Sequence, residues 1–356
     1  MTLPTVMRAV LLTGHGGYDK LEVRHDIPVP IPKSGEVLIR VGAAGVNNTD
    51  INTRIGWYSK AIAEATDVGA ASGLSGAGDD GWSGEAFRFP RIQGADACGR
   101  IVAVGDGVDP ARIGERVLVE PVWRGAGPFD IRYFGSEVDG AFADYARVPA
   151  ASAHRIDSKL SDAELASFPC AYATAENILT RIGLSAHERV LITGASGGVG
   201  SAAVQLAKRR GAEVVAMARA EKADAVRALG ADQVIARDAD LVALFGQEYF
   251  DAALDIVGGT QFGAMLGMLK RGGRYGVSGA ISGPVVELDL RTLYLKDLRL
   301  IGCTVLEPEV FPNLIGFIER GEIRPLVAAT YPLDEIVVAQ EAFLTKRHVG
   351  KIVLAV

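Results

Sequence analysis

Cysteine is scarce. The 356 residues hold three, Cys98, Cys170 and Cys303. They form no Cys-x-x-Cys pair and no even-numbered framework, which argues against a disulfide scaffold and fits a reducing compartment, the cytoplasm. Basic charge is in deficit. Lys and Arg number 37 against 43 Asp and Glu, a net charge of −6. A nucleic-acid binder needs a basic face, so that class is excluded, and nucleic acid is not expected as a partner. No uncharged apolar run reaches about 18 residues, so no membrane span is expected. The opening MTLPTVMRAVLL lacks the layout of a signal peptide and reads as a first strand. The five histidines are scattered and none is given a role. Wholesale disorder is excluded by 49% hydrophobic and 22% charged residues. Glycine is in excess. The 43 glycines are about 12% of the chain, against a usual ~7%, and they follow no period. Collagen is thereby excluded, and many tight turns are expected.

The length predicts about two domains. Up to about residue 150 the chain reads as short strands broken by Gly and Pro clusters. These are 7–13, 36–46, 99–105, 115–121 and 142–149. From about 157 the texture changes. Ser161-Asp162-Ala163-Glu164 is a capping box before a helix. Strands at 190–193, 213–218, 250–257, 273–278 and 298–305 then alternate with helical segments. That alternation predicts an α/β fold with a doubly wound parallel sheet. The tail predicts two amphipathic helices and a last strand.

Gly194-Ala195-Ser196-Gly197-Gly198-Val199-Gly200 follows a predicted strand and opens a predicted helix. Small residues there let a backbone approach a pyrophosphate, and the helix start offers unpaired N–H groups to it. Ala195 stands where the first Gly of the G-x-G-x-x-G pattern would be, while Gly197 and Gly200 match. A dinucleotide site is expected on residues 195–200. An NAD site would place a carboxylate at the end of the second strand, about 20 residues on. This chain has Ala216-Met217-Ala218-Arg219-Ala220 there. Arg219 and Lys222 are placed to meet a 2′-phosphate, so NADP (NADPH) is the expected cofactor.

At this point the chain resembles the medium-chain dehydrogenase/reductase superfamily. The resemblance runs through Gly35–Val46 followed by Asn47, Gly94–Gly105, Gly114-Glu115-Arg116-Val117, the glycine turn and Gly350-Lys351-Ile352-Val353. It implies a GroES-like β domain over 1–156, a Rossmann domain over 157–304, and a segment 305–356 that returns to the first domain. It also implies an active site in the cleft between domains. The zinc members have Cys where this chain has Asn47 and Gly-His-Glu where it has Gly94-Ala95-Asp96, and their third ligand corresponds to Cys170. Two of the three ligands are absent, Cys170 reads as a packed small hydrophobe, and no metal is expected. The four-cysteine structural zinc lobe is absent too.

The stretch from Gly45 to Tyr58 instead resembles the zinc-free quinone oxidoreductases and enoyl reductases. That implies Asn47 beside the nicotinamide, Tyr58 in the active site as acid, and Thr174 and Lys351 among the cofactor contacts. Reduction of an enone puts hydride on the β-carbon and negative charge on the carbonyl oxygen, and the α-carbon takes a proton. A hydroxyl donor serves both needs. Tyr58 is the first candidate and Thr49 the second. Tyr58 as a mere aromatic wall stays open, as does the choice between quinone and enone. Two other readings remain: an alcohol dehydrogenase or ketone reductase, and a non-catalytic NADPH-binding protein. A homodimer through 298–305 is expected, because a bare apolar edge strand invites pairing. Residues 59–89 are rich in Gly, Ala and Ser. They are expected to form a mobile lid carrying Trp82, dispensable to stability.

Overall fold

Val6–Leu12 and Glu36–Val46 are strands with most of their positions buried against a core. The computed structural model describes residues 3–78, 86–125, 127 and 130–356. Trp82 lies outside them. The described chain falls into two units. The first comprises 1–62, 68–170 and 315–356; the second comprises 63–67 and 171–314.

In the first unit the strands are Val6–Leu12 (β1), Leu21–Pro28 (β2), Glu36–Val46 (β3), Arg91–Ile92 (β4) and Cys98–Val104 (β5). Arg116–Val119 (β6), Val122–Arg124 (β7), Ile131–Tyr133 (β8), Tyr145–Pro149 (β9) and Ala153–Arg155 (β10) follow. The second unit holds Arg189–Ile192 (β11), Glu213–Ala218 (β12), Gln233–Ala236 (β13), Phe250–Asp255 (β14), Leu269–Val277 (β15) and Arg299–Gly302 (β16). The chain then re-enters the first unit with Val327–Pro332 (β17) and Lys351–Ala355 (β18).

The large sheet of the first unit runs β10-β6-β5-β3-β18-β17, with β9 also on β3. β18 lies antiparallel on β3, with Ile352 opposite Val46. This register sets the chain's late residues beside the residues that follow Val46. A smaller sheet, β2-β1-β4, and the hairpin β7-β8 complete the unit. Val10, Ile39, Ile51, Phe134, Phe142 and Ile352 belong to its buried core.

The sheet of the second unit runs β13-β12-β11-β14-β15-β16, every neighbouring pair parallel. Val190, Leu191 and Ile192 of β11 are fully buried, as a strand covered on both faces requires. This is a GroES-like β fold followed by a Rossmann-type α/β fold.

Several elements have weak sequence signals. Leu21–Pro28 carries Glu22, Arg24, His25 and Asp26, mostly exposed, and forms a strand only through its ladder to β1. Asn48–Ile55 (α1) is a helix of largely polar residues that are nonetheless buried. Residues 68–78 depart from the expected contact-poor loop. Fully buried Arg54 donates from Nη2 to the Ala70 carbonyl at 2.7 Å, and Leu74 N–H donates to the Ile55 carbonyl at 3.1 Å.

Candidate active site

The expected site residues fall into two groups. Asn47, Thr49, Tyr58 and Lys351 lie in the first unit, and Thr174, residues 195–200, Arg219 and Lys222 in the second.

In the first unit, β3 ends at Val46 and Asn47 is the N-cap of α1. The Asp50 carboxylate reaches back to accept the Asn47 N–H at 2.7 Å. Thr49 rides on the first turn of α1. The helix ends at Gly56, which has φ +76°, and the turn beyond it brings Tyr58 back. The Tyr58 hydroxyl donates to Thr49 Oγ1 at 3.2 Å. Both side chains are half-buried. Burial pushes the Tyr58 phenol up to about 12, so it stays protonated through neutral pH.

Beneath this pair lies a buried polar cluster. Lys351 Nζ donates to Asn47 Oδ1 at 2.5 Å, to Asp96 Oδ2 at 2.7 Å and to the Val46 carbonyl at 3.2 Å. Asn47 Nδ2 donates to Asp96 Oδ2 at 2.8 Å and to the Gly45 carbonyl at 3.3 Å. The Cys170 N–H donates to Asp96 Oδ1 at 2.5 Å. A side chain at position 45 would be driven into the Asp96 carboxylate, which accounts for glycine there. The Cys170 thiol and the Tyr133 hydroxyl are 3.1 Å apart. Burial, helped by the Asp96 charge, raises that thiol to about 12.

Two expectations change here. The Lys351 side chain is only 4% exposed and its three ammonium hydrogens meet three acceptors, so it presents no free donor to a cofactor phosphate. The Asn47 carboxamide is engaged at both ends by its neighbours. Cys170 also departs from a purely apolar role, since it touches Tyr133 and fixes Asp96.

The donor set does not fit a catalytic zinc. Such a zinc needs three protein ligands and an open position. Asn47, the methyl of Ala95 and a thiol held protonated stand at the ligand positions, and a lysine ammonium already contacts Asn47 and Asp96. Among the described residues no three His, Cys, Asp or Glu are grouped to hold a metal.

Asp50 was not singled out by its sequence context, yet it is buried against Asn47. Desolvation raises its carboxyl from the ordinary range to about 7, partly opposed by backbone N–H groups and by Lys351. A carboxyl whose pKa rises on folding favours the folded state while protonated, and this contribution fades as pH climbs from the ordinary carboxyl range through about 7. Asp50→Asn removes that loss and keeps an acceptor for the Asn47 N–H. Its melting temperature should therefore gain on wild type between about pH 5 and about pH 8. A constant difference across that range would show that Asp50 does not titrate there.

In the second unit, β11 leads through Thr193 into the glycine turn, and Gly198–Arg209 forms the helix beyond it. Gly194 has φ +59°, and a Cβ on Gly200 would be driven into the Gly194 carbonyl and lie 2.7 Å from Ala195 Cα. Gly197 caps the helix without a side-chain hydrogen bond, so the first-turn amides of Gly198, Val199 and Gly200 have no side-chain cap. This is the cradle that a pyrophosphate requires, and a nicotinamide dinucleotide fits it. Ala195 is buried with its N–H on the Met217 carbonyl, and Ser196 and Thr174 are half-buried.

Asp255, at the end of β14, is a further residue the sequence reading missed. It is fully buried and accepts from Thr193 Oγ1 at 2.6 Å, Tyr275 at 2.5 Å and the Val257 N–H at 2.9 Å. It thereby ties the threshold of the glycine turn to two neighbouring strands. The faint signal was an acid ending an apolar strand before Gly258-Gly259.

Arg219 and Lys222 follow β12. Arg219 is 42% exposed and 4.0 Å from Glu221. Lys222, expected beside a 2′-phosphate, is turned inward. It is 6% exposed, and burial, with the Arg219 charge, lowers its pKa.

Comparison with known proteins accords with both units. Residues 33–158 match the alcohol dehydrogenase GroES-like domain family, and residues 198–320 match the zinc-binding dehydrogenase family. The chain is 30% identical to acryloyl-coenzyme A reductase of Metallosphaera sedula, over 98% of this chain and 99% of that one. It is 29% identical to the quinone oxidoreductase of Homo sapiens, over 94% and 93%. A Sinorhizobium meliloti 1021 structure described as an alcohol dehydrogenase shares 46% identity, with TM-score 0.88 over 99% of this chain and 97% of that one. With a GroES-like sheet, a parallel Rossmann-type sheet and a glycine turn opening its helix, and with relatives matched over nearly the whole length, the chain belongs to the medium-chain dehydrogenase/reductase superfamily and is an oxidoreductase that binds a nicotinamide nucleotide.

Proposed function

We propose that the protein is an NADPH-dependent reductase that transfers hydride to an α,β-unsaturated carbonyl or a quinone without zinc. The observation that carries this reading is the Tyr58–Thr49 hydroxyl pair, set on a cluster whose cation is a lysine. Bound NADPH supplies the hydride. As hydride reaches the β-carbon of an enone, charge gathers on the carbonyl oxygen, and the protonated Tyr58 phenol donates a hydrogen bond to it. Tyr58 then releases a proton to the α-carbon and recovers one from solvent, giving the saturated carbonyl. Thr49 orients the phenol. With a quinone, hydride and proton together give the hydroquinone. The acryloyl group named in one relative is itself an α,β-unsaturated carbonyl, and the human relative is named for quinones. The 46% identical structure favours a second reading, reduction of a simple ketone, in which Tyr58 would protonate the carbonyl oxygen.

Preference for NADPH rests on the missing carboxylate after β12 and on the crowded Arg219 and Lys222 cations, whose repulsion a 2′-phosphate would relieve. The test is a screen of NADPH oxidation over enones, quinones and simple ketones, with and without chelator. Turnover of enones or quinones, insensitive to chelator, is expected. Activity on simple ketones alone, lost to chelator, would overturn the reading. In the same assay Arg219→Ala should weaken NADPH by roughly tenfold or more, the ~1.5–3 kcal/mol of a charged hydrogen bond, and spare NADH. Equal loss for both would remove Arg219 from the 2′-phosphate site.

The reading includes a reducing compartment, where the free thiols of Cys98, Cys170 and Cys303 persist. It also includes a homodimer through β16, the end strand of its sheet, near exposed Leu290, Tyr294 and Leu300. A monomer by light scattering would remove the dimer.

A further inference from the structure

Lys351 reaches the active site from a distant part of the chain. The antiparallel register of β18 on β3 sets it beside Asn47. Its ammonium meets an acceptor for each hydrogen: Asn47 Oδ1, Asp96 Oδ2 and the Val46 carbonyl. Those side chains stand where the zinc-dependent relatives would have a ligand and its neighbouring acid. The cation is therefore built into the protein, and its shell is closed to substrate.

What the ammonium controls is geometry. Asn47 is the N-cap of α1, α1 presents Thr49, and Thr49 accepts the Tyr58 hydroxyl. Asp50 and Asp96 also converge on Asn47. Without Lys351, a buried acid would lose its counter-charge, which strongly disfavours the closed arrangement. We propose that Lys351 is a positioning residue whose ammonium serves as the resident cation in place of a metal, fixing the start of α1 and so the Thr49–Tyr58 pair. The proposal rests on the zinc-free reading above, and it concerns how the proton donor is held, not which carbonyl is reduced.

The test uses the full chain with Lys351→Ala and the uncharged double variant Asp96→Asn/Lys351→Met. Amide hydrogen exchange across α1 should speed up in Lys351→Ala. Methylammonium chloride should slow it again, saturably, while potassium chloride at equal ionic strength should not. Wild type should not respond to either salt. Turnover number in Lys351→Ala should fall by about a hundredfold, the scale of a misplacement of about 1 Å at a reacting group, with the cofactor KM little changed. The double variant has no orphaned charge, so it should regain thermal stability and keep the low turnover number. Exchange unaffected by methylammonium, or a double variant with wild-type turnover, would overturn the proposal. A raised cofactor KM with intact turnover number would overturn it too, in favour of a phosphate contact. The exchange arm needs no substrate. Failure of the wild type to reduce enones or quinones therefore counts against the proposed function, while exchange still decides the role of Lys351.

Discussion

Gly200→Val should weaken dinucleotide binding by up to roughly a hundredfold while leaving the first unit folded. The backbone of Gly194 and Ala195 fills the space a Cβ would take, with Gly194 C at 2.6 Å and Ala195 Cα at 2.7 Å. These are main-chain atoms, so neither can swing aside. The turn must open, and opening it moves the Gly198, Val199 and Gly200 amides off a pyrophosphate. Overpacking costs about 1–3 kcal/mol, so affinity should fall by roughly a hundredfold at the upper end. Fluorescence titration with NADPH and NADH reads this directly, and both should weaken together. Circular dichroism and thermal unfolding check that the chain is folded. Near wild-type affinity in a folded Gly200→Val protein would mean that the turn does not hold the cofactor.

Arg54→Met should cause a large loss of stability. Arg54 is fully buried and donates to the Gly16 carbonyl at 2.9 Å, the Ala70 carbonyl at 2.7 Å and Gln340 Oε1 at 2.9 Å. Its guanidinium lies over the Tyr18 ring, 4.5 Å from the centroid. One side chain thus joins the first hairpin, the 68–78 stretch and the late helix Ile336–Leu344. Methionine fills similar volume but donates nothing, and each orphaned buried acceptor costs about 1–3 kcal/mol. A total near 3 kcal/mol would lower the melting temperature by about 6–12 °C, at roughly 2–4 °C per kcal/mol. A shift within about 2 °C would show that water replaces the guanidinium without loss. The same contacts revise the expectation for 59–89. Trimming through 70 would strand Arg54, so that part of the segment belongs to the fold.

The second unit was the more legible from sequence. Its central strands β11, β12 and β14 are mostly apolar, its helices stop at glycines such as Gly211 and Gly230, and the glycine turn falls between a strand and a helix as expected. Periodicity works there because burial on both faces imposes one residue type. The first unit was less legible. β2 alternates only weakly, and β7 and β8 are three residues each, too short to show a period. α1 reads as polar because Asp50, Asn52, Thr53 and Arg54 are buried alongside Ile51 and Ile55, which alone of its residues join the apolar core.

The site was legible in its hydroxyls and not in its charges. Asn47, Thr49 and Tyr58 fall within one stretch, so their spacing was visible. Asp96 and Lys351 are separated by 255 positions. Only the pairing of β18 with β3 brings them together, and no local pattern announces that pairing. The burial of Lys222 was not legible either, since the turn after β12 folds it inward.

The Lys351–Asp96 pair also sets an order on biosynthesis. Residues 171–314 emerge from the ribosome as an unbroken run, and their parallel sheet draws only on that run. Domains that are contiguous in sequence fold as they are made. The first unit has no such freedom. Its central strand β3 stands without β18 until translation has passed residue 351, and Asp96 waits, unpartnered by lysine, for the same moment. The nascent protein can hold a finished dinucleotide fold while its first unit is still open. A chain ended after 314 would hold the second unit complete and the first without β17 and β18, so the two folds are separated in time at the birth of each molecule.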